Sequence, residues 1–412
     1  MLSIDKYSLT FYGDSASHLI GARKIVDWMD PGLNQLGTVW LPLPHLLLLP
    51  FSLVDALFTS GLAGTIVSLP SLAITAALIY KMIRIHIVEG CAYIAFAGAL
   101  LYASNPNILY IGLTAMTEAP FMLFFVASAY YFQNWRLNSS RFRNLLLCSV
   151  FVALATLCRY EGWILAAFLV PFAIVFMAKE KAGNRRKLYG ILLSLVCFSG
   201  IVLWLGYNAY RYGDPLEFAN ASYYSASSQA LDRSVRETLF LQPANVITVY
   251  GITAVMMYGP VLLAGALAGY FYHRHVPGGQ IRKVLYIYLS LPPLFTVITL
   301  IIGIGEMSYW FNSRFLILLS PLIIMLIAVC LKNLPQIIGK HRVLTMGTVA
   351  ALFLFQLISP AFAVITYLDA KGGFFYGVNP YAVQTGEELR SLYDGGGITT
   401  MTGSAQEHRI ML

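Results

Sequence analysis

Basic residues in this sequence gather in alternate gaps between long apolar runs, and that alternation constrains the fold more than any motif does. The runs lie near 62–86, 89–104, 119–136, 143–160, 162–178, 188–208, 244–272, 283–303, 315–331 and 343–367. A membrane-crossing helix needs about 20 mostly apolar residues, and most of these runs are close to that length. The chain is 58% hydrophobic and 11% charged, against about 25% charged in soluble domains. That leaves too little charge to cover a soluble surface. The sequence therefore predicts an all-α polytopic membrane protein with about ten transmembrane helices.

The gaps at 81–88, 136–143, 179–187, 273–283 and 332–342 hold sixteen of the chain's 27 Lys and Arg, and only two acids, Glu89 and Glu180, lie in or beside them. Lys and Arg in short loops mark the cytoplasmic side. The net charge of +8 is thus read as membrane orientation, with no nucleic-acid partner. The helix at 62–86 then runs inward, and the residues before it lie outside. The run at 41–58 contains Pro42, Pro44, His45, Pro50 and Asp55, a poor composition for a lipid-facing span. It is expected to form a juxtamembrane or re-entrant helix that packs on protein. All the non-basic loops fall on one extracytoplasmic face, which is expected to look outward from the cell membrane.

Three regions follow: an extracytoplasmic first loop with juxtamembrane helices (1–61), a transmembrane bundle (62–367), and the start of an extracytoplasmic C-terminal segment (368–412). Nothing before Asp14 is apolar enough for a first crossing helix. At the other end, Ser404 and Glu407 stand at capping-box spacing just before the sequence ends. A longer parent, with a first helix and a C-terminal domain, is the expectation. The five cysteines sit in or beside apolar runs without CxxC spacing, as small buried hydrophobes rather than a disulfide or zinc framework. There is no GxxxxGK box to cradle a nucleotide, so an ATP-driven pump is unsupported.

Candidate chemistry gathers on the extracytoplasmic face. Asp14 opens an amphipathic pattern (Leu19, Ala22, Val26, Met29) and reads either as a helix N-cap or as a general base at the bilayer surface. His18 follows one turn later on the same side; with Asp14 it makes only two metal ligands, so an ordinary hydrogen-bonding role is the simpler reading. Arg23 and Lys24 form either a solvated interfacial pair or a lipid-phosphate contact. Glu118 begins a helix, where a carboxylate suits the dipole, yet so close to an apolar run it needs a partner. Arg159 and Glu161, two apart at a tight corner, suggest an ion pair with each other or with other loops. Loop 209–243, with Arg211, Asp214 and Tyr223-Tyr224, is long enough for a lid. Arg314, after Glu306 and Trp310, either snorkels to headgroups or holds a phosphate.

These residues resemble those of the GT-C membrane glycosyltransferases, the broad group of protein O-mannosyltransferases and aminoarabinose transferases. The likeness runs through Asp14 in the first outer loop and the Trp40-Leu41-Pro42-Leu43-Pro44-His45 box. It continues through Thr114–Pro120 and the Ser313-Arg314-Phe315-Leu316…Pro321 pattern. It implies a GT-C-like bundle that transfers a sugar from a polyprenyl-phosphate carrier to a protein, lipid or glycan acceptor. Under it, Asp14 is the catalytic base. Glu118 supports the acceptor or the site network, and Arg314 meets the lipid phosphate. His18, Arg23, His45, Arg159 and Glu161 complete the expected substrate-binding set. Where the family carries a second acid beside the first, this chain has Ser15, and its second-loop acid is Glu; a divalent metal is left open. The alternatives are a secondary transporter or flippase, which would place charge near the midplane of repeated halves, a noncatalytic scaffold, or an inactive fragment of a glycosyltransferase.

Orientation is directly testable. A membrane-impermeant thiol reagent should label a cysteine placed at Ser227 in intact cells, and one placed at Gly183 only after permeabilisation. The reverse pattern would invert the topology.

Overall fold

A computed structural model describes residues 8–88, 90–181, 183–220, 238–272, 279–304, 313–338 and 365–372, with isolated positions at 347, 348, 351, 388, 389 and 392. The helices are α1 (Gly13–Lys24), α2 (Pro42–Ser52), α3 (Asp55–Thr59), α4 (Leu62–Met82), α5 (Ala92–Ala103), α6 (Pro106–Ile111), α7 (Glu118–Leu137) and α8 (Phe142–Thr156). They continue with α9 (Trp163–Lys179), α10 (Asn184–Leu195), α11 (Ser199–Tyr212), α12 (Glu217–Asn220), α13 (Pro243–Tyr272), α14 (Gly279–Ile301), α15 (Ser320–Ile338) and α16 (Ile365–Gly372). Among the described residues there is no strand.

The chain is an integral membrane protein. Six described helical stretches are long and apolar enough to cross a bilayer, and Ala92–Ala103 and Phe142–Thr156 are shorter apolar helices. The expected ten are therefore not all matched by a described spanning helix; most of 343–367 lies outside the described residues. The run at 188–208 is longer than expected, because α10 and α11 join through a 3-10 turn into one stretch, Asn184–Tyr212. The run 41–58 forms no span. It breaks at Leu53-Val54 into helices of 11 and 5 residues, and at 1.5 Å per residue neither approaches the roughly 30 Å hydrocarbon thickness. Pro42 and Pro44 are tolerated because first-turn N–H groups have no intrahelical acceptor. The N–H of Leu43 instead donates to the Leu157 carbonyl at 3.1 Å.

Helix α7 is the centre of the bundle. Phe121, Phe125, Phe132 and Trp135 recur at helical spacing and are fully buried. Their rings meet Tyr288 on α14 (4.6 Å from Phe132) and Phe168, Phe172 and Phe176 on α9. Around this core the two ends of the bundle differ in character. At one end, Arg282 and Lys332 donate to the carbonyls of His86 and Ile87 at 3.1 and 3.2 Å, so three of the basic gaps meet where α4 ends. Cations suit a helix C-terminus.

At the opposite end, α1–α3 lie over the start of α4 and the chain leading into α7. Thr65 and Ser68 of α4 donate to the carbonyls of Leu113 and Thr114 at 2.6 and 2.7 Å. Ser15 of α1 accepts from the Ala115 N–H at 3.1 Å. Three hydroxyls thus clamp the segment that delivers Glu118.

Helix α13 kinks at Gly259, which adopts φ 75° beside Pro260. Proline has no N–H to give, and the Met257 carbonyl of the preceding turn accepts from Asn105 and Asn107 at 3.3 Å. The kink aims Tyr258 at the Leu316 carbonyl, 2.6 Å away, and so fixes the 3-10 turn Ser313–Leu319 that carries Arg314.

Beyond the kink, α13 closes tightly on α15. A Cβ at Gly269 would overlap the Leu326 carbonyl oxygen, whereas one at Gly265 would meet only Ile327, at 3.8 Å. Overpacking costs about 1–3 kcal/mol, so Gly269→Ala should lower the melting temperature in detergent by several degrees and Gly265→Ala should not. Equal melting of the two variants would contradict this close crossing.

Candidate active site

At the α1–α3 end, five charged residues from four parts of the chain converge. Arg314 donates through Nη1 to Asp14 Oδ2 at 2.6 Å, and its Nε lies 3.7 Å from Glu118 Oε1. Arg159 donates to the same Glu118 oxygen at 2.8 Å, to Thr117 Oγ1 at 2.9 Å, and to Glu161 at 2.6 Å. Two guanidinium groups therefore interleave with three carboxylates. Phe315 lies between them, 5.2 and 5.3 Å from the guanidinium carbons of Arg159 and Arg314, and Tyr12 flanks Arg314 at 5.6 Å.

Exposure grades across the cluster. The Glu118 side chain is 0% exposed and Arg314 15%, while Asp14 keeps 37%. Asp14 is thus the most exposed member of the cluster. Glu118 Oε2 and Arg314 Nε have no hydrogen-bond partner among the described residues. Beneath Glu118 a small cavity is lined by Leu72, Tyr102, Ile108, Met122 and Ile317.

Asp14 does not cap its helix. Helix α1 starts at Gly13, its N-cap is Tyr12, and no side chain caps it; the carboxylate turns to Arg314 instead. Burial pushes the Asp14 pKa up, but Arg314, His18 and Arg159 outweigh it and hold the carboxyl below its ordinary value. Arg314 in turn has Asp14 and Glu118 as its counter-charges.

One turn after Asp14, His18 Nδ1 meets His45 Nε2 at 3.0 Å, and His45 Nδ1 meets the Leu41 carbonyl at 3.3 Å. Trp40 packs on His18 with ring centroids 4.6 Å apart. Burial draws the pKa of His18 down to about 4, against the pull of Asp14, and that of His45 down to about 3.

The structure thus brings Asp14, Glu118, Arg159, Glu161 and Arg314 into one network, with His18 and His45 beside it. Arg23 is not in that network. It bonds Asp27 at 2.7 Å and Asp55 at 2.6 Å, tying α1 to α3. In loop 209–243 the described part packs on the bundle near the site. Asp214 accepts from the Leu216 N–H at 2.8 Å, and Phe218 stacks on Tyr160 at 5.1 Å. Tyr223, Tyr224, Glu306, Trp310 and residues 393–412 lie outside the described residues.

Sequence reasoning passed over Thr117, Tyr12 and Asp369. The Tyr12 hydroxyl donates to Asp369 Oδ2 at 3.1 Å, and burial raises the Asp369 pKa to about 7 against the effects of Tyr12 and Arg314. The available signal for Asp369 was an acid just past the last apolar run. The other two are ordinary residue types whose roles come from their neighbours.

A divalent cation, left open by the family resemblance, does not suit these residues. Asp14 and Glu118 each already face a guanidinium, and Ser15 Oγ is occupied by Leu9 and Ala115. Among the described residues no three His, Cys, Asp or Glu converge as ligands.

The fold is GT-C-like and has counterparts among solved structures. Two solved structures of an Archaeoglobus fulgidus oligosaccharyltransferase share the fold. The apo form matches at TM-score 0.50 and 14% identity, covering 93% of this chain and 55% of that one. The second, the archaeal oligosaccharyltransferase AglB in complex with an inhibitory peptide and a dolichol-phosphate, matches at 0.51 and 12%, covering 93% and 54%. The chain spans about half the length of these structures. Residues 46–204 match the family model for dolichyl-phosphate-mannose-protein mannosyltransferase, a range that holds Glu118, Arg159 and Glu161. No curated protein sequence matches the chain.

The buried histidines give stability a defined pH dependence. Their folded pKa values lie below the unfolded value near 6.5, so the unfolded chain binds more protons as pH falls. Stability is complete above about pH 6.5 and declines toward pH 4, by up to about 1.4 kcal/mol per pH unit for each group. Asp14 is shifted down as well, so its contribution is likewise present above its unfolded pKa and lost as pH falls through the lower folded value. Asp369, raised to about 7, works the other way and offsets about one of the two histidines. Detergent melts from pH 8 to 4.5 should therefore fall below pH 6.5, and His45→Gln should flatten that fall. An unchanged profile in the variant would mean that the pair is not buried and neutral.

Proposed function

We propose that this protein is a glycosyltransferase that moves a sugar from a polyprenyl-phosphate carrier to an acceptor on the extracytoplasmic side of the membrane. The observation that carries the reading is one guanidinium, Arg314, joined to an accessible carboxylate, Asp14, and backed by the buried Glu118–Arg159–Glu161 network. The dolichol-phosphate bound to the AglB structure and the family description over residues 46–204 support a lipid-linked donor.

In this reading Asp14 is the general base. It takes the proton of the acceptor hydroxyl as that oxygen bonds the anomeric carbon, while the bond from that carbon to the phosphate oxygen breaks and polyprenyl phosphate departs. Phosphate is a good leaving group, and the transition state is oxocarbenium-like. The hydroxyl becomes acidic as its oxygen bonds carbon, so a carboxylate of low pKa suffices. Arg314 keeps one nitrogen on Asp14 and offers the rest of its planar fork to the phosphate. One side chain thus spaces the base from the leaving group. Arg159 holds Glu118, so that Arg314 has a fixed counter-charge behind it and costs no reorganisation during reaction. His18, His45 and Glu161 belong to the walls of the same site, whereas Arg23 serves the α1–α3 contact. Residues 1–61 are assigned to the outer layer, 62–367 to the bundle through which the lipid enters from the side, and 368–412 to an outer segment.

Asp14→Asn separates the base from a structural role, because Asn keeps the shape and can still accept from Arg314. The variant should insert and melt like wild type while transfer from dolichyl-phosphate-mannose to a serine peptide falls by roughly 10²–10⁴-fold, the usual worth of general-base catalysis. Transfer near the wild-type rate would remove Asp14 from the chemistry.

A further inference from the structure

The His18–His45 contact fixes where the protons sit. The Leu41 carbonyl can only accept, so the His45 Nδ1 beside it at 3.3 Å carries the hydrogen. The neutral His45 ring then has a bare Nε2, and the only partner 3.0 Å away, His18 Nδ1, must donate to it. That leaves the lone pair of His18 on Nε2, which has no hydrogen-bond partner among the described residues. Both rings are held firmly. His18 is 3% exposed and His45 1%, Trp40 packs on His18, and a Cβ at Gly21 would press on His45 at 3.2 Å. A glycine at that point of α1 is what lets α2 bring His45 so close.

We propose that His18 Nε2 is a hydrogen-bond acceptor for a substrate hydroxyl, held in that tautomer by His45 and placed one helical turn from Asp14. The inference rests on the glycosyltransferase reading and deepens it, because sugars and hydroxyl acceptors are the substrates that present an O–H to such a nitrogen. The hydroxyl belongs either to the acceptor or to the donor sugar. Burial keeps both rings neutral at physiological pH, with folded pKa values of about 4 and 3; a charged His18 could not accept. His18 is a positioning residue here, and Asp14 remains the group that takes the proton.

Two side-chain replacements divide the ring's functions. In His18→Asn the amide nitrogen can stand where Nδ1 stands and still donate to His45, but nothing replaces Nε2. In His18→Gln the amide oxygen can reach the Nε2 position. Steady-state transfer from dolichyl-phosphate-mannose to a serine peptide should show His18→Asn raising the KM of one substrate by roughly three- to tenfold, the worth of one hydrogen bond. The kcat should change little, and His18→Gln should recover part of the loss. A raised peptide KM assigns the hydroxyl to the acceptor, and a raised lipid KM assigns it to the sugar. Gly21→Val, which pushes His45 away and touches neither histidine chemically, should behave as His18→Asn does.

A readout independent of turnover is nitrogen NMR of 15N-histidine-labelled protein in nanodiscs, with His18 assigned by its loss in His18→Asn. At pH 7 its Nε2 should be unprotonated and should shift on adding dolichyl-phosphate-mannose or the peptide. A protonated Nε2, an Nε2 unmoved by both ligands, or unchanged KM values in His18→Asn would overturn the proposal. Absence of wild-type transfer with a ligand-responsive bare Nε2 would instead overturn the glycosyltransferase reading and leave the hydroxyl site standing.

Discussion

Glu118 is a carboxylate with no exposed surface at the head of the largely buried helix α7, and the bundle is arranged to keep it paired. An unpaired buried charge is far more costly than any single packing defect. Arg159 reaches it from the α8–α9 corner and Arg314 from the turn before α15, and Arg314 then holds Asp14 on α1. Each guanidinium is positioned in turn. The Leu43 N–H and the Tyr160 hydroxyl, which donates to the Val39 carbonyl at 2.8 Å, pin the Arg159 corner to the start of α2. The α13 kink and Tyr258 pin the Arg314 turn. Disturbing any of these supports moves a charge.

Much of this layout was legible in the sequence, because it follows from composition and periodicity. The apolar runs between 62 and 331 reappear as helices within a few residues, and the proline-rich 41–58 forms no span. The basic residues Arg282 and Lys332 do meet at the end of α4 away from Asp14, as their alternate spacing requires. The pairings were not legible. Asp14 and Arg314 stand 300 positions apart, and nothing local tells Arg314 to choose Asp14 or Arg23 to choose Asp55. The N-cap reading of Asp14 failed for the same reason, since a long-range partner outcompeted a local one. The Gly259 kink and the short α6 depend on Asn105 and Asn107 reaching Met257, again a tertiary fact.

The histidines show how a modest signal gains meaning from geometry. His18 and His45 are 27 residues apart and individually unremarkable, one on a helix and one in a proline-rich box. Together with the Leu41 carbonyl they fix a lone pair on a ring one helical turn from the carboxylate that is proposed to act as base. The outer layer α1–α3 is therefore both the cover of the bundle and the carrier of two polar devices, the Asp14–Arg314 pair and the histidine chain.

The central claim is that Arg314 spans the base and the departing phosphate. Its most direct test is a structure of the protein in nanodiscs with a bound non-transferable dolichyl-phosphate sugar analogue. The account predicts phosphate within ion-pair distance of Arg314, with the anomeric carbon between that phosphate and Asp14. A phosphate bound elsewhere, with the Arg314–Asp14–Glu118 cluster closed and unchanged beside it, would contradict it.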